Sequence, residues 1–327
     1  MTNKSRVLVT GSTGLLGPYV INDLIKKGYE NITVLIRSGK LNAELKPFAN
    51  NLKVVKGDIL ELFPLTEEIA IVDYVIHVAA MVSFDPKDKQ AMYDINVNGT
   101  ANVVNLCLEH GIKKLVHVSS VAAIGRPDKR ELLSETTAWS DSKYNPYYGV
   151  TKYKSELEVW RGYTEGLHVA IVNPSIILGR GDYSRSSLKM VKLIKRGLSH
   201  YPVGKVGIVD VRDVASMCTL LMESDINGER YIATAESITY KSLFEKMAAH
   251  LGSKPPSKAM SPLMGSIVWR LEKIRSLITG SSPIVTKETI ASSSYTSEYD
   301  TSKSQSLPDF TYRNSAETIK WSCDGLV

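Results

Sequence analysis

The length, composition and charge of the chain exclude several classes of protein. With 327 residues, 43% hydrophobic and 23% charged, it has a globular composition, which excludes a disordered, collagen-like or coiled-coil chain. This length suits a large α/β unit with a smaller lobe. The formal net charge is +6, and the basic residues look scattered along the chain rather than gathered into arms. We therefore expect no nucleic-acid partner.

The cysteines and the apolar segments bear on location. Three cysteines lie far apart without a C-x-x-C motif: Cys107, Cys218 and Cys323. They predict neither a disulfide nor a zinc site, which indicates a reducing compartment. The six histidines form no ligand motif either, so we expect no metal. Residues 1–6 lack a leader pattern and no run of about 18 apolar residues follows, so we expect a cytoplasmic protein without a membrane partner.

Short apolar runs alternate with helical patterns over the first two thirds of the chain. In chain order, the predicted elements are the strand Arg6–Thr10, the helix Leu15–Lys27, the strands Asn31–Arg37, Leu52–Lys56 and Tyr74–Val78, the helix Asn96–His110, the strand Lys114–Ser119, the helix Tyr147–Tyr163 and the strand His168–Val172. This alternation predicts an α/β fold with a Rossmann-type doubly wound parallel sheet and right-handed crossovers.

The turn after the first strand has the composition of a phosphate-binding loop. Residues 10–17 read T-G-S-T-G-L-L-G, which is G-x-x-G-x-x-G rather than the general G-x-G-x-x-G. Glycines there let the backbone approach a pyrophosphate, which the free N–H groups at the helix start would bind. The candidate contacts are Gly11, Thr13, Gly14, Leu15, Leu16 and Gly17.

The end of the second strand bears on the choice of dinucleotide. An acid at this position reads the ribose of NAD, whereas a basic residue accommodates the 2′-phosphate of NADP. The strand ends in Arg37-Ser38 without a carboxylate, which favours NADP. The alternative is that Arg37 is merely a surface residue.

The chain contains three Y-x-x-x-K pairs, and their context distinguishes them. The pairs are Tyr148/Lys152, Tyr201/Lys205 and Tyr299/Lys303. The second contains Pro202 and Gly204 and is not expected to be helical, and the third lies at a helix start capped by Asp300 in a polar tail. Only the first opens a helix that follows a buried strand.

A phenol exchanges protons poorly at neutral pH unless a cation stabilises its anion. Lys152 shares a helix face with Tyr148 and is a candidate for that cation. Ser119 and Ser120 end the preceding strand at the carboxyl edge, where ligands of such sheets bind, and a serine there can orient a carbonyl oxygen. Taken singly, each residue has an ordinary structural explanation; their combination in this chain order points to catalysis.

Further segments complete a resemblance to a known family. They are the loop at 10–17, Gly57-Asp58-Ile59, His77-Val78-Ala79-Ala80 and Asn96-Val97-Asn98-Gly99-Thr100. With them the chain resembles the extended short-chain dehydrogenase/reductase family, the NAD-dependent epimerase/dehydratase superfamily. The resemblance implies an NAD(P)-dependent enzyme in which Tyr148 exchanges the proton, Lys152 lowers its pKa and holds the nicotinamide ribose, and Ser120 binds the substrate oxygen.

The resemblance also implies the remaining contacts. For the cofactor they are Asp58, Ile59, Ala79, Ala80, Ser119, Tyr148, Lys152, Pro174 and Ile176, and for a small-molecule substrate Met81, Ser83, Ser120 and Tyr148. A homodimer would pair through the helices at 96–110 and 147–163. We predict an NAD(P)-binding domain over residues 1–178, completed by about 205–235, and an interleaved C-terminal substrate lobe over 179–204 and 236–327.

One segment distinguishes branches of the family. Residues 173–179 read N-P-S-I-I-L-G, which resembles dihydroflavonol reductases and hydroxysteroid dehydrogenases, whereas sugar-nucleotide enzymes usually carry N-V-x-G-P. The leading hypothesis is an NADPH-dependent reductase or dehydrogenase for a moderately hydrophobic ketone, aldehyde or alcohol. The alternatives are a nucleotide-sugar epimerase or dehydratase with internal cofactor recycling, and a non-catalytic NADP-binding protein.

Residues 267–278 form an amphipathic pattern with basic residues in between. A membrane-surface helix or a lid over the substrate would explain it. We favour a helix packed on the second lobe.

Overall fold

The computed structural model of the chain describes residues 4–128, 131–185, 187–283 and 285–326. The strands are β1 (Arg6–Thr10), β2 (Asn31–Ile36), β3 (Leu52–Lys56), β4 (Tyr74–His77), β5 (Lys114–Val118), β6 (Leu132–Leu133), β7 (Val169–Pro174), β8 (Ile176–Leu178), β9 (His200–Tyr201), β10 (Lys205–Asp210), β11 (Glu229–Ala233), β12 (Glu236–Thr239), β13 (Lys258–Ala259) and β14 (Glu298–Tyr299). The helices are α1 (Gly17–Lys26), α2 (Leu62–Ile69), α3 (Lys89–Tyr93), α4 (Gly99–Glu109), α5 (Tyr147–Thr164), α6 (Leu188–Lys195), α7 (Val211–Glu223), α8 (Tyr240–Leu251), α9 (Pro262–Thr279), α10 (Lys287–Ser293), α11 (Ser302–Gln305) and α12 (Ser315–Asp324).

A parallel sheet with the order β11-β7-β5-β4-β1-β2-β3 forms the centre of the fold. Its apolar strands are buried on both faces, with α1 and α7 packed on one side and α2, α4 and α5 on the other. The order reverses direction between β1 and β4, which opens a crevice at the carboxyl edge. The predicted Rossmann-like α/β fold is therefore confirmed.

A second, smaller sheet has the order β12-β10-β8 and packs against α6, α8 and α12. Of the segment 205–235, which we expected to complete the large sheet, only β11 joins it. Strand β10 instead pairs with β8 and β12 in the small sheet. Which strands pair depends on tertiary packing, which the periodicity of a single strand does not reveal. The division into domains stays a prediction.

Several element boundaries differ from the expectations. Helix α1 begins at Gly17, two residues later than predicted, because the loop continues to Leu16 and Pro18 occupies the first turn. The helix predicted from Asn96 consists of a π-helical turn over Asp94–Asn98 followed by α4. Tyr299 lies in a strand rather than a helix, although Asp300 caps the next turn by accepting the Ser302 N–H.

Helix α9 exists where the amphipathic pattern predicts one, but its aliphatic side chains are exposed. The expectation that they pack on the second lobe is therefore wrong. The helix contacts the rest of the protein through other residues, among them Gly265, which lies against Ile290 of α10. In the described part of the chain, no helix is both long and apolar enough to cross a membrane.

Candidate active site

The predicted phosphate loop is a tight turn that leaves no room for side chains at two of its glycines. Gly11 has a φ of +68°, and a Cβ there would lie 2.5 Å from the backbone nitrogen of Ala79. A Cβ on Gly17 would lie 2.5 Å from the Cα of Ser12. The turn therefore packs directly against the loop after β4, and α1 starts immediately beside it.

A groove of about 290 Å³ runs beside this loop. Its walls comprise Thr13, Gly14, Leu15, Asn42, Ala43, Glu44, Arg180, Gly181, Asp182 and Arg185. The Asn42 amide donates to the Thr13 carbonyl at 3.3 Å and so ties the two walls together. Arg180 and Arg185 place two guanidinium groups in this groove, where they pair with Asp324 and Asp182, and no sequence pattern indicated either residue.

Arg37 lies at the carboxyl end of β2 with its side chain 76% exposed. Its Nε atom is 3.9 Å from Oδ2 of Asp58, which the family resemblance implies as a cofactor contact. The other oxygen of Asp58 accepts the Leu60 N–H at 3.0 Å, which fixes the turn after β3. Ile59 in this turn is buried. The structure thus brings Arg37 and Asp58 together at the carboxyl ends of β2 and β3.

The structure brings Ser120 and Tyr148 into contact. Ser120 follows β5, and its hydroxyl accepts the Ala122 N–H at 3.2 Å. Tyr148 is in the first turn of α5, where Gly149 allows close approach because a Cβ there would lie 2.9 Å from the Ala122 carbonyl. Burial raises the pKa of Tyr148 to about 12, and a hydrogen bond with the Ser120 side chain partly opposes this.

Lys152 is fully buried one turn further along α5. Its Nζ atom donates to the Val118 carbonyl at 3.0 Å and lies 3.4 Å from Nε2 of His117. Burial lowers the pKa of Lys152 to about 8, although the Glu156 carboxylate favours its charged form. An ammonium with this pKa is still mostly protonated at neutral pH, so a buried positive charge lies one helical turn from Tyr148 on α5.

Two neighbouring histidines with tilted rings lie near this lysine. The rings of His77 and His117 are 5.2 Å apart. Burial and the Lys152 charge lower the pKa of His77 to about 3, and the same causes keep the pKa of His117 well below its usual value. Both imidazoles are therefore neutral at physiological pH, and Lys152 carries the charge at this edge. The sequence placed His77 in a family motif and predicted no metal-ligand role for either histidine, but it did not indicate that the two rings lie together near Lys152.

Buried amides and carboxylates hold the catalytic candidates in place. Asn96 pairs with both backbone groups of Met81 at 2.7 and 2.9 Å and donates to the Thr151 hydroxyl at 2.9 Å. This ties the loop after β4 to α5. Asn173 donates to the Ser120 carbonyl at 3.0 Å and to Glu156 at 2.5 Å.

Glu156 in turn forms an ion pair with Arg230 at 3.1 Å. Asn96 and Asn173 each lie in a motif of the sequence, but the motifs do not reveal that these two side chains fix the positions of the catalytic candidates. Their partners lie far away in the chain, so no local pattern reveals the contacts.

The other predicted contacts lie along the same edge. Ala79 follows β4, and its N–H donates to the Thr10 hydroxyl at 3.3 Å. Pro174 ends β7 and Ile176 begins β8. The Ser83 hydroxyl is engaged by the protein itself, because it donates to Asp88 at 2.7 Å. Ala80, Ser119 and the partly buried Met81 complete the set at the strand ends.

This fold and this arrangement define a dinucleotide-dependent oxidoreductase of the Rossmann type. Residues 7–233 match the model of the NAD dependent epimerase/dehydratase family, and the chain belongs to that family. Its members bind NAD(P), so the chain is an NAD(P)-dependent oxidoreductase.

Three comparisons illustrate the range of relatives. The chain is 30% identical over 259 residues to sterol demethylase protein B of Methylococcus capsulatus, covering 78% of this chain and 77% of that protein. It is 28% identical over 328 residues to a putative dihydroflavonol 4-reductase of Synechocystis, covering 96% and 93%. The crystal structure of gox2253 superposes with a TM-score of 0.84 at 28% identity, covering 99% of this chain and 98% of the other.

Proposed function

We propose that this enzyme is an NADP-preferring reductase or dehydrogenase for a ketone, an aldehyde or the corresponding alcohol of a moderately hydrophobic small molecule. The observation that carries the proposal is the contact between Ser120 and Tyr148 at the carboxyl end of β5, one helical turn from the buried Lys152. Residues 179–204 and 236–327 would supply the substrate lobe. The similarity to a putative dihydroflavonol 4-reductase over nearly the whole chain supports a reductase.

Each residue has a definite task in this proposal. The Ser120 hydroxyl and the Tyr148 hydroxyl donate hydrogen bonds to the substrate oxygen. A nicotinamide cofactor held by these residues would supply the hydride for the carbonyl carbon. Tyr148 then gives its proton to the oxygen, and the Lys152 ammonium stabilises the phenolate that remains. Gly11, Gly14 and Gly17 would admit the pyrophosphate, and Lys152 would also hold a ribose hydroxyl.

The preference for NADP rests on Arg37. Its exposed guanidinium stands at the end of β2, and its interaction with Asp58 at 3.9 Å is weak enough to be exchanged for a phosphate. We expect Arg37→Gln to weaken NADPH binding about 10-fold to 100-fold, the loss of one charge-assisted contact, and to leave NADH binding unchanged. The matched control is Arg196→Gln, an exposed arginine at the end of α6.

The test of the reaction is NADPH consumption by the purified protein with a panel of hydrophobic aldehydes and ketones. Tyr148→Phe removes the proton donor and should lower kcat at least about 100-fold. Tyr153→Phe is the control on the same helix, because its ring stacks on Trp139 and its hydroxyl is not part of the site. Equal loss in both variants would contradict the role of Tyr148.

Two outcomes would support rival functions. The family also includes epimerases and dehydratases, in which the cofactor is reduced and reoxidised within one turnover. Conversion of a sugar nucleotide without net NADPH consumption would therefore contradict the reductase proposal. Tight NADPH binding without turnover of either substrate class would favour a non-catalytic binding protein.

A further inference from the structure

The aliphatic stripe is the set of large apolar side chains exposed along α9. Its members are Leu263, Met264, Ile267, Leu271, Ile274, Leu277 and Ile278. They recur every three or four residues and so share one side of the helix. The most exposed are Leu263, Leu277 and Ile278, with 74%, 75% and 79% of their surface in solvent. A contiguous apolar surface of this kind marks an interaction site.

The opposite side of α9 attaches the helix to the protein. Gly265 is buried against Ile290 of α10, and Trp269, Glu272 and Ser276 are only partly exposed. The helix is therefore oriented the reverse of an ordinary surface helix, with its aliphatic side away from the lobe. This orientation disfavours a lid, because a lid would turn the stripe toward the site.

Positive charge accompanies the stripe. Residues 254–287 contain six basic residues and one acidic residue, a net charge of +5, whereas the whole chain carries +6. The basic residues are Lys254, Lys258, Arg270, Lys273, Arg275 and Lys287. Arg275 pairs with Glu272 at 2.9 Å, whereas Arg270 and Lys273 are exposed beside the stripe. The segment holds six of the 40 basic residues but only one of the 34 acidic ones, so its net positive charge comes mainly from a scarcity of acidic side chains.

We propose that α9 docks the enzyme onto an anionic membrane surface. The aliphatic stripe would enter the boundary between headgroups and acyl chains, and Arg270 and Lys273 would meet the lipid phosphates. The charge decides between a membrane and a second copy of the chain, because two copies would bring two segments of +5 together. The proposal does not depend on the reaction that the enzyme catalyses.

Helix α9 is linked to the candidate active site through α10. Glu288 belongs to α10, the helix that α9 contacts, and it accepts the N–H of Tyr147 at 3.0 Å. Tyr147 is the residue before Tyr148. Docking through α9 would therefore hold the start of α5 close to the lipid surface.

The experiment is vesicle flotation with the full chain. One set of vesicles is pure phosphatidylcholine, and the other contains about 30% phosphatidylserine. We expect binding to the anionic vesicles that weakens with salt, and much weaker binding to the neutral ones. The combined substitution Ile267→Gln, Leu271→Gln and Ile274→Gln should reduce binding at least about tenfold, because it removes buried aliphatic surface. Arg270→Gln with Lys273→Gln should remove the preference for anionic lipid.

The matched control is Leu62→Gln with Phe63→Gln on α2, where the two side chains are 54% and 76% exposed. This variant should float like the wild type. Every substituted residue is exposed, and unchanged thermal unfolding will verify that each variant folds.

Four results would overturn the proposal. The first is a wild type that floats with neither set of vesicles, and the second is equal loss of binding in the α2 control. The third is a dimer that dissociates in the triple variant, which would assign the stripe to a second copy. The fourth is a raised KM in the triple variant without vesicles, which would mean that the aliphatic stripe closes over the bound substrate.

Discussion

Replacing Lys152 with methionine should stabilise the protein while abolishing the proposed reaction. Burial lowers the pKa of Lys152 from 10.5 to about 8, a shift that corresponds to about 3 kcal/mol of stability at neutral pH. Methionine has a similar length and carries no charge, so Lys152→Met removes this cost. It also removes the hydrogen bond to the Val118 carbonyl, worth about 1 kcal/mol. The expected net gain is about 2 kcal/mol at pH 7.

The pH dependence of the stability gain in Lys152→Met identifies the buried charge as its cause. Because the pKa is lower in the folded state, the unfolded chain binds a proton that the folded chain lacks between about pH 8 and 10.4. The penalty is complete below pH 8 and is relieved as the pH rises through this window. The advantage of Lys152→Met should therefore be largest at pH 7 and absent near pH 10.

Urea unfolding of the cofactor-free protein, followed by circular dichroism at pH 7 and pH 10, measures both effects. Lys154→Met is the control, since Lys154 is exposed on the same helix. A variant less stable than the wild type at pH 7 would refute the reasoning, because it would mean that the ammonium contributes more through its contacts than its burial costs. A gain that persists unchanged at pH 10 would refute the assignment to charge.

Three further changes test other parts of the site. Gly11→Ala should lower the free energy of unfolding in urea by at least about 3 kcal/mol, because the strain of a left-handed backbone adds to a clash with backbone atoms. Gly111→Ala is the control, with φ at +62° and no described atom within 4 Å, and it should lower the same free energy by about 1 kcal/mol. Glu156→Gln should cost about 3 kcal/mol by the same measurement, because it breaks a buried ion pair. Below about pH 6.5, each buried histidine should lower the stability of the wild type by about 1.4 kcal/mol per pH unit. His117→Asn should therefore reduce the loss of stability between pH 7 and pH 5, whereas His250→Gln, at an exposed position, should leave that loss unchanged.

The parts of the fold that are local in sequence could be predicted from it. The strand, the glycine loop and the helix are consecutive in the chain, so their composition predicts their order and the turn between them. Tyr148 and Lys152 are likewise four residues apart, and the structure places both on α5. For these features, pattern and context are sufficient.

Features that depend on distant partners could not be predicted. The pairing of β10 with β8 depends on a choice between two sheets that both accept an apolar strand. The amide of Asn96 finds Met81 and Thr151, 15 and 55 residues away. In α9, periodicity shows that one side is aliphatic but does not show whether that side faces the protein or the solvent.

The protonation states at the site bear on the direction of the proposed reaction. At neutral pH Tyr148, with a pKa near 12, is a phenol, and Lys152, with a pKa near 8, is an ammonium. This pair is ready to donate a proton to a developing alkoxide, as carbonyl reduction requires. Alcohol oxidation needs the phenolate, which burial of Tyr148 opposes, while the two neutral imidazoles beside Lys152 add no positive charge to favour it. These protonation states therefore favour the reductive direction of the proposed reaction, in which Tyr148 gives up its proton.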